Sequence, residues 1–158
     1  MSTLQLAAER AHERGVRAVL HPHAGSYIEF EDEIERALTD VPAEALGLCL
    51  DTGHAIYADA NPIALIQRHA PRLEHLHLKD ARADVVSRGL DFWDAIAAGV
   101  FCPVGDGALD LVATREALER VSYSGFATIE QDRRPGTLGE PGEDLRRSVE
   151  FIRSCGIG

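Results

Sequence analysis

The residues of this chain with the clearest capacity for chemistry are imidazoles and carboxylates gathered in four short clusters. These are His21-Pro22-His23, Asp51-Thr52-Gly53-His54, His75-Leu76-His77-Leu78-Lys79-Asp80 and Ile129-Glu130-Gln131-Asp132. In the second cluster a carboxylate and an imidazole three residues on can turn toward one point; the plainer alternative is an Asp that caps the next turn beside a solvent-exposed His. In the third, strand alternation sends His75 and His77 to one side and the leucines to the other. A His-x-His strand can present imidazole to a metal, although a single buried, hydrogen-bonded His is the commoner outcome. Glu130 closes an apolar run, where an ionised carboxylate needs a partner, and a divalent cation is a natural one. A mixed imidazole and carboxylate set suits Mn²⁺, Zn²⁺, Co²⁺ or Fe²⁺ better than Ca²⁺. With no cysteine in the set, a structural zinc site is disfavoured. An ion held this way binds a ketone oxygen and a neighbouring hydroxyl and acidifies the α-carbon proton. A nearby base then takes that proton, and a hydroxyl β to the carbonyl can leave.

The elements that must carry these residues read as strand then helix, four times over. Leu4 to Arg14 is amphipathic, with Gly15 just past its end. Arg17 to His21 is a short apolar strand ending in polar residues, and Phe30, Ile34, Ala37 and Leu38 recur at helical spacing. Gly47 to Asp51 is a second strand; the helix after it starts at Asn61-Pro62, an N-cap with proline at N1. Leu73 to Leu78 is the third strand. A long excursion with a helical piece from Leu90 to Ala98 precedes the helix Leu111 to Val121. Gly125 to Glu130 is the fourth strand, and Leu145 to Cys155 the closing helix. Alternating strands and helices imply a parallel sheet with right-handed crossovers, either doubly wound or part of a (β/α)₈ barrel. No glycine-rich phosphate loop follows the first strand, which counts against a dinucleotide-binding unit. His21, Asp51, His77 and Glu130 each fall at the C-terminal end of a strand, the face that carries the active site in barrels.

Composition narrows the partners. With 158 residues, 45% hydrophobic and 27% charged, residues 1–158 are expected to form one domain with a real core. The net charge of −10 argues against nucleic acid as the main partner. No run approaches eighteen apolar residues, so no membrane span is expected. The N-terminus lacks a basic region followed by an apolar core, so no secretory signal is expected, and the cytoplasm is the expected location. Cys49, Cys102 and Cys155 are widely spaced and form no CxxC pair, as fits reduced packing thiols.

Taken together the ordered clusters resemble the xylose-isomerase-like barrel superfamily (AP endonuclease family 2) of sugar phosphate isomerases, epimerases and endonuclease IV. Its Asp-x-x-His, His-Leu-x-Asp and strand-terminal Glu match Asp51 with His54, His77 through Asp80, and Glu130. Within it the chain looks most like the inosose dehydratase group. The segments from His21 to Glu29, from Leu50 to His54, from His75 to Asp80, Phe92-Trp93-Asp94, from Gly99 to Gly107, and from Ile129 to Asp132 carry that likeness. The resemblance implies a lyase that eliminates water from a keto-inositol (inosose) in inositol catabolism with Mn²⁺ or Co²⁺, Zn²⁺ being a further candidate. It implies Asp51, His77 and Glu130 as metal ligands, with Glu130 and His54 in catalysis, and a pocket lined by His23, His54, Lys79 and Asp80. Lys79 is also a candidate catalytic residue. Many relatives place a Glu where this chain has His21, so either His21 completes the shell or Glu29 serves as ligand or base. An isomerase or epimerase acting through the same enediolate is the alternative enzyme, and a half-barrel that binds metal or a partner without turnover is the alternative outside enzymes. The resemblance also implies eight strand–helix units, of which this sequence supplies four, the C-terminal half. The strands Val19-Leu20, Leu48-Cys49-Leu50 and Phe126 to Ile129 are then expected to leave a sticky inner face and open edges, and the chain to self-associate or to need a separate N-terminal half.

Overall fold

The computed structural model describes residues 3–136 and 139–157. Helix α1 (Thr3–His12) ends in a turn closed by Gly15, whose φ of 70° suits a residue without a Cβ. The chain then runs β1 (Ala18–Leu20), α2 (Glu31–Asp40), β2 (Leu46–Asp51), α3 (Thr52–Tyr57), α4 (Pro62–Arg68) and β3 (Leu73–Leu78). An excursion holds β4 (Asp80–Ala81), α5 (Ala83–Val86), α6 (Phe92–Ala97) and β5 (Phe101–Cys102). Helix α7 (Leu111–Arg120), β6 (Phe126–Ile129) and α8 (Pro141–Ser154) complete the fold. The four main strands lie in the order β1-β2-β3-β6, every pair parallel. This is the α/β, four-unit arrangement expected of half a (β/α)₈ barrel. The small ladder β4–β5 is antiparallel and separate.

Alternation sorts each strand into two faces. Leu50, Leu76 and Leu78 are 0–1% exposed and pack with Ile34, Leu65, Ile66 and Leu118 from the helices. The register pairs Cys49 with His75 and Asp51 with His77, then His75 with Phe126 and His77 with Thr128. These residues share the opposite face, so it is less apolar than the strand sequences suggest. The leucines of β2 and β3 are spent beneath helices, and what the open face presents is His75, Thr128 and Phe126, the last 81% exposed.

Three pieces of structure were invisible in the periodicity. Helix α3 is too short for an apolar repeat and follows β2 without a loop, because the strand's last residue, Asp51, is itself the N-cap. Strands β4 and β5 are two residues each, too short to alternate. Helix α5 is a single turn. Elsewhere the boundaries move by a few residues; α8 starts at Pro141, a proline at N1, rather than at Leu145.

Candidate metal centre

The centre is assembled at the C-terminal ends of the four parallel strands. Asp51 closes β2, His77 is the penultimate residue of β3, His21 follows β1, and Glu130 follows β6 with its N–H donating to the Leu78 carbonyl. Donor atoms of Asp51, His77 and Glu130 lie within 4.8 Å of one another, as do those of His21, Asp51 and His54. Asp51 is 1% exposed and divides its oxygens. Oδ1 accepts the His54 N–H at 2.8 Å, which caps α3; Oδ2 stands 3.8 Å from His21 Nε2 and 3.6 Å from His77 Nδ1. Both sequence alternatives for Asp51 therefore hold at once in geometry: it caps a helix and it faces two imidazoles. His54, by contrast, is buried rather than solvent-exposed.

The same three atoms, His21 Nε2, Asp51 Oδ2 and His77 Nδ1, are buried without a hydrogen-bond partner. Glu130 Oε2 comes within 2.7 Å of His77 Nδ1, but without the alignment of a hydrogen bond. Buried polar atoms are normally paired, and leaving one unpaired costs about 1–3 kcal/mol. Two carboxylate oxygens and two ring nitrogens that converge without bonding one another fit a divalent transition ion, which His21, Asp51, His77 and Glu130 would hold. Burial works against the Asp51 charge, yet His21, His77, Lys79 and His54 around it outweigh burial and hold its carboxyl well below the usual range. Asp51, offset by burial, raises His77. The Cys49 thiol, also within reach of His21 and His77, is pushed up to about 11 by burial.

A second constellation lies against the first. Lys79 is wholly buried, and its Nζ sits 2.7 Å from Glu130 Oε1, 2.8 Å from Asp132 Oδ2, 2.9 Å from His54 Nε2 and 3.3 Å from Asp51 Oδ2. Burial alone would lower its pKa, but Asp51, Asp132 and Glu130 raise it. The Lys79 stem passes beneath α3 where Gly53 leaves room; a Cβ on Gly53 would overlap the Lys79 Cγ. Thr52 latches this crossing, its Oγ1 donating to the Lys79 carbonyl at 2.6 Å and accepting the Lys79 N–H at 3.0 Å. His54 is 3% exposed, stacked under His23 (ring centroids 3.8 Å apart) with the edge of Phe101 alongside. Its Nδ1 accepts the Ala24 N–H at 3.3 Å, and its Nε2 lies 2.9 Å from Lys79 Nζ and 3.6 Å from Asp132 Oδ2. Burial, opposed by Asp51 and reinforced by Lys79, lowers His54 to about 3.

Several expectations change here. Lys79 and Asp80 do not line an accessible pocket; both are 0% exposed. The Asp80 carboxylate accepts the N–H groups of Ala81, Gly105, Gly107 and Leu109 at 2.8–3.0 Å, so it organises the Gly105–Leu109 loop. Glu29 lies in the loop after β1, accepting the Gly25 N–H at 3.0 Å, outside the metal-capable groups. Of the residues expected to touch substrate, His23 alone is half-exposed. Asp132 had no assigned role in the sequence reading; its signal was the Glu-x-Asp spacing, which in extended chain puts both carboxylates on one side. The cavity behind Glu130, between β6 and α8, is about 170 Å³, lined by Cys102, Ile129 and Leu145 among others. That is well below the ~300–1,000 Å³ of most small-molecule sites.

A parallel β/α sheet with an imidazole and carboxylate cluster at its strand ends defines a barrel-type site with metal-binding capacity. A family model for the xylose isomerase-like TIM barrel matches residues 1–155, and the chain belongs to that family. The Rhizobium meliloti rhizopine catabolism protein MocC is 38% identical over 132 residues, 81% of this chain and 40% of that protein. The inosose dehydratase of Geobacillus kaustophilus is 36% identical over 153 residues, 94% of this chain and 49% of that one. The chain thus spans about half the length of these curated relatives. Among solved structures, a xylose isomerase domain protein from Planctomyces limnophilus superposes with a TM-score of 0.72 at 25% identity, over 96% of this chain and 49% of that one. The probable 3-DHS dehydratase AsbF of Bacillus anthracis superposes with a TM-score of 0.74 at 17% identity, over 95% of this chain and 54% of that one, a likeness of fold. None of the described helices is long and apolar enough to cross a membrane.

Proposed function

We propose that this chain carries the metal-binding half of a metal-dependent dehydratase that removes water from a keto-inositol such as 2-keto-myo-inositol. The single observation that carries the metal reading is the convergence of three unpartnered buried atoms, His21 Nε2, Asp51 Oδ2 and His77 Nδ1, beside Glu130 Oε2. The substrate class rests on the inosose dehydratases among its relatives. Mn²⁺ or Co²⁺ suits the donor set, and Zn²⁺ is compatible with it. Such an ion polarises a ketone oxygen and makes the neighbouring C–H acidic.

The chain's own residues then handle two protons. Glu130 takes the α-proton on Oε1, which also accepts from Lys79 at 2.7 Å, while Oε2 beside His77 would be left to the ion. As the β C–O bond breaks, the departing hydroxyl needs a proton, and Asp132, half-exposed and 2.8 Å from Lys79 Nζ, passes one outward from the ammonium. The proton on Glu130 returns to Lys79 across 2.7 Å, so one water is lost and every group regains its starting state. Buried, neutral His54 keeps Lys79 aimed rather than titrating itself. The substrate is a small polyol ketone rather than nucleic acid or lipid.

The test combines metal content and chemistry. Protein purified without chelator should retain one divalent ion, and Asp51→Asn or Glu130→Gln should lower affinity by at least tenfold. Equal metal content in all three sinks the metal reading. A metal-dependent conjugated-dione absorbance from the keto-inositol supports the lyase. Solvent-deuterium exchange at the α-carbon without that absorbance would move the assignment to an isomerase or epimerase, and metal binding with neither signal to a non-catalytic half-barrel.

A further inference from the structure

We infer that Lys79 is a built-in second cation: its ammonium stands where a second divalent ion would bind, and so keeps the centre to one metal. This rests on the metal reading above and adds a role for a residue outside the expected ligand shell.

The surroundings of Nζ are those of a metal rather than of an ordinary surface lysine. Three carboxylate oxygens and an imidazole nitrogen, from Asp51, Glu130, Asp132 and His54, surround it at 2.7–3.3 Å. Lysine has three N–H donors and one positive charge, whereas that ring supplies four donor atoms and three formal negative charges. Donor atoms of His23, His54 and Asp132 also lie within 4.8 Å of one another, a metal-capable set sharing no residue with Asp51, His77 and Glu130. Glu130 spans the two positions, with Oε1 on Lys79 and Oε2 on His77, which is how a carboxylate bridges two cations. Asp51 Oδ2, buried and without a hydrogen bond, is aimed between them. Charge points the same way. One divalent ion together with Lys79 balances the three carboxylates; deleting the ammonium leaves one uncompensated negative charge and an open ring of ligands. A buried charge without a counterion is costly, so that ring should recruit a cation from solution. Gly53 fits this account, since only a residue without a Cβ lets the Lys79 stem pass beneath α3 to reach the position.

The experiment titrates the wild-type chain and its variants with Co²⁺ and, separately, with Mn²⁺. Calorimetry and metal analysis give the stoichiometry, and electron paramagnetic resonance gives the state of Mn²⁺. Wild type should take up one equivalent with the spectrum of an isolated ion. Lys79→Ala should take up two, with an exchange-coupled spectrum, and Lys79→Ala combined with Asp132→Ala should return to one. Lys79→Met, whose side chain refills the space without charge, should stay at one. A folded Lys79→Ala chain that binds one equivalent, or a wild type that binds two, overturns the inference and leaves the metal reading intact. A wild type that binds no metal overturns both. If Lys79→Ala is unfolded in chelator, circular dichroism against added Co²⁺ reads the same question: refolding that saturates at two equivalents supports the inference, and no refolding in excess Co²⁺ overturns it.

Discussion

Asp51, the last residue of β2, and Asp80, two residues past the end of the neighbouring β3, end up in opposite roles, and the difference is what their oxygens face. Asp51 spends one oxygen on the α3 cap and leaves the other among imidazoles. Asp80 spends both on backbone N–H groups, one of them Ala81 and three in the loop that follows β5. Hydrogen bonds to an ionised group are worth roughly 1.5–3 kcal/mol each. Asp80→Asn removes the charge from four of them and turns an amide N–H₂ against backbone donors. The expected loss is about 3 kcal/mol of stability in urea unfolding, with Co²⁺ affinity within a factor of about three of wild type, a spread worth less than 1 kcal/mol. A variant as stable as wild type but weak for metal would return Asp80 to the site. The residue types at the site were legible in the sequence, because His21, Asp51, His77 and Glu130 were placed at strand ends by pattern alone. Which oxygen faces which partner was not, since that depends on contacts 25 or more residues apart, such as Lys79 with Glu130.

At the scale of elements, the crossing of α3 over the end of β3 holds the two constellations together. Gly53 admits the Lys79 stem, Thr52 bonds the Lys79 backbone on both sides, and Asp51 starts the helix. Gly53→Ala places a methyl against that stem in a packed site, and overpacking of this kind costs typically 1–3 kcal/mol. The variant should lose stability in that range and should bind Mn²⁺ several-fold more weakly as Glu130 loses its anchor. Unchanged metal affinity would show that Lys79 can move without consequence for Glu130. The helices with a local code were legible: Asn61-Pro62 begins α4, with Asn61 Oδ1 accepting the N–H groups of Ile63 and Ala64. Helix α3 had no such code of its own, because its cap is the last residue of a strand and its burial comes from the neighbouring strand and excursion.

Among the described residues the sheet has two edge strands, β1 and β6, and a face on which His75, Thr128 and Phe126 are exposed. Strand β6 is exposed along most of its length, and Phe126 stands out from it. Exposed edges and apolar side chains promote association. Light scattering after size exclusion should therefore give a mass above the 17.2 kDa of one chain. Phe126→Lys should shift the distribution toward monomer. A sharp 17.2 kDa peak for wild type that binds no hydrophobic dye would mean the open face is tolerated as it stands.

By itself the sequence determined the alternation of strands and helices, the parallel order that follows from it, and the set of metal-capable residues at the strand ends. Those are local properties: period, caps, and the polar residue that closes an apolar run. Only the tertiary structure decided that the leucines of β2 and β3 lie under helices, that Asp80 organises a loop, that Asp132 joins the site, and that Lys79 sits buried at its centre. It also split Asp51 and Glu130 between two neighbouring positions. The physical reason is that side-chain charge interacts over a few ångströms of space, whereas sequence pattern reports only neighbours along the chain; Lys79 meets His54, Glu130 and Asp132 across 25 to 53 residues.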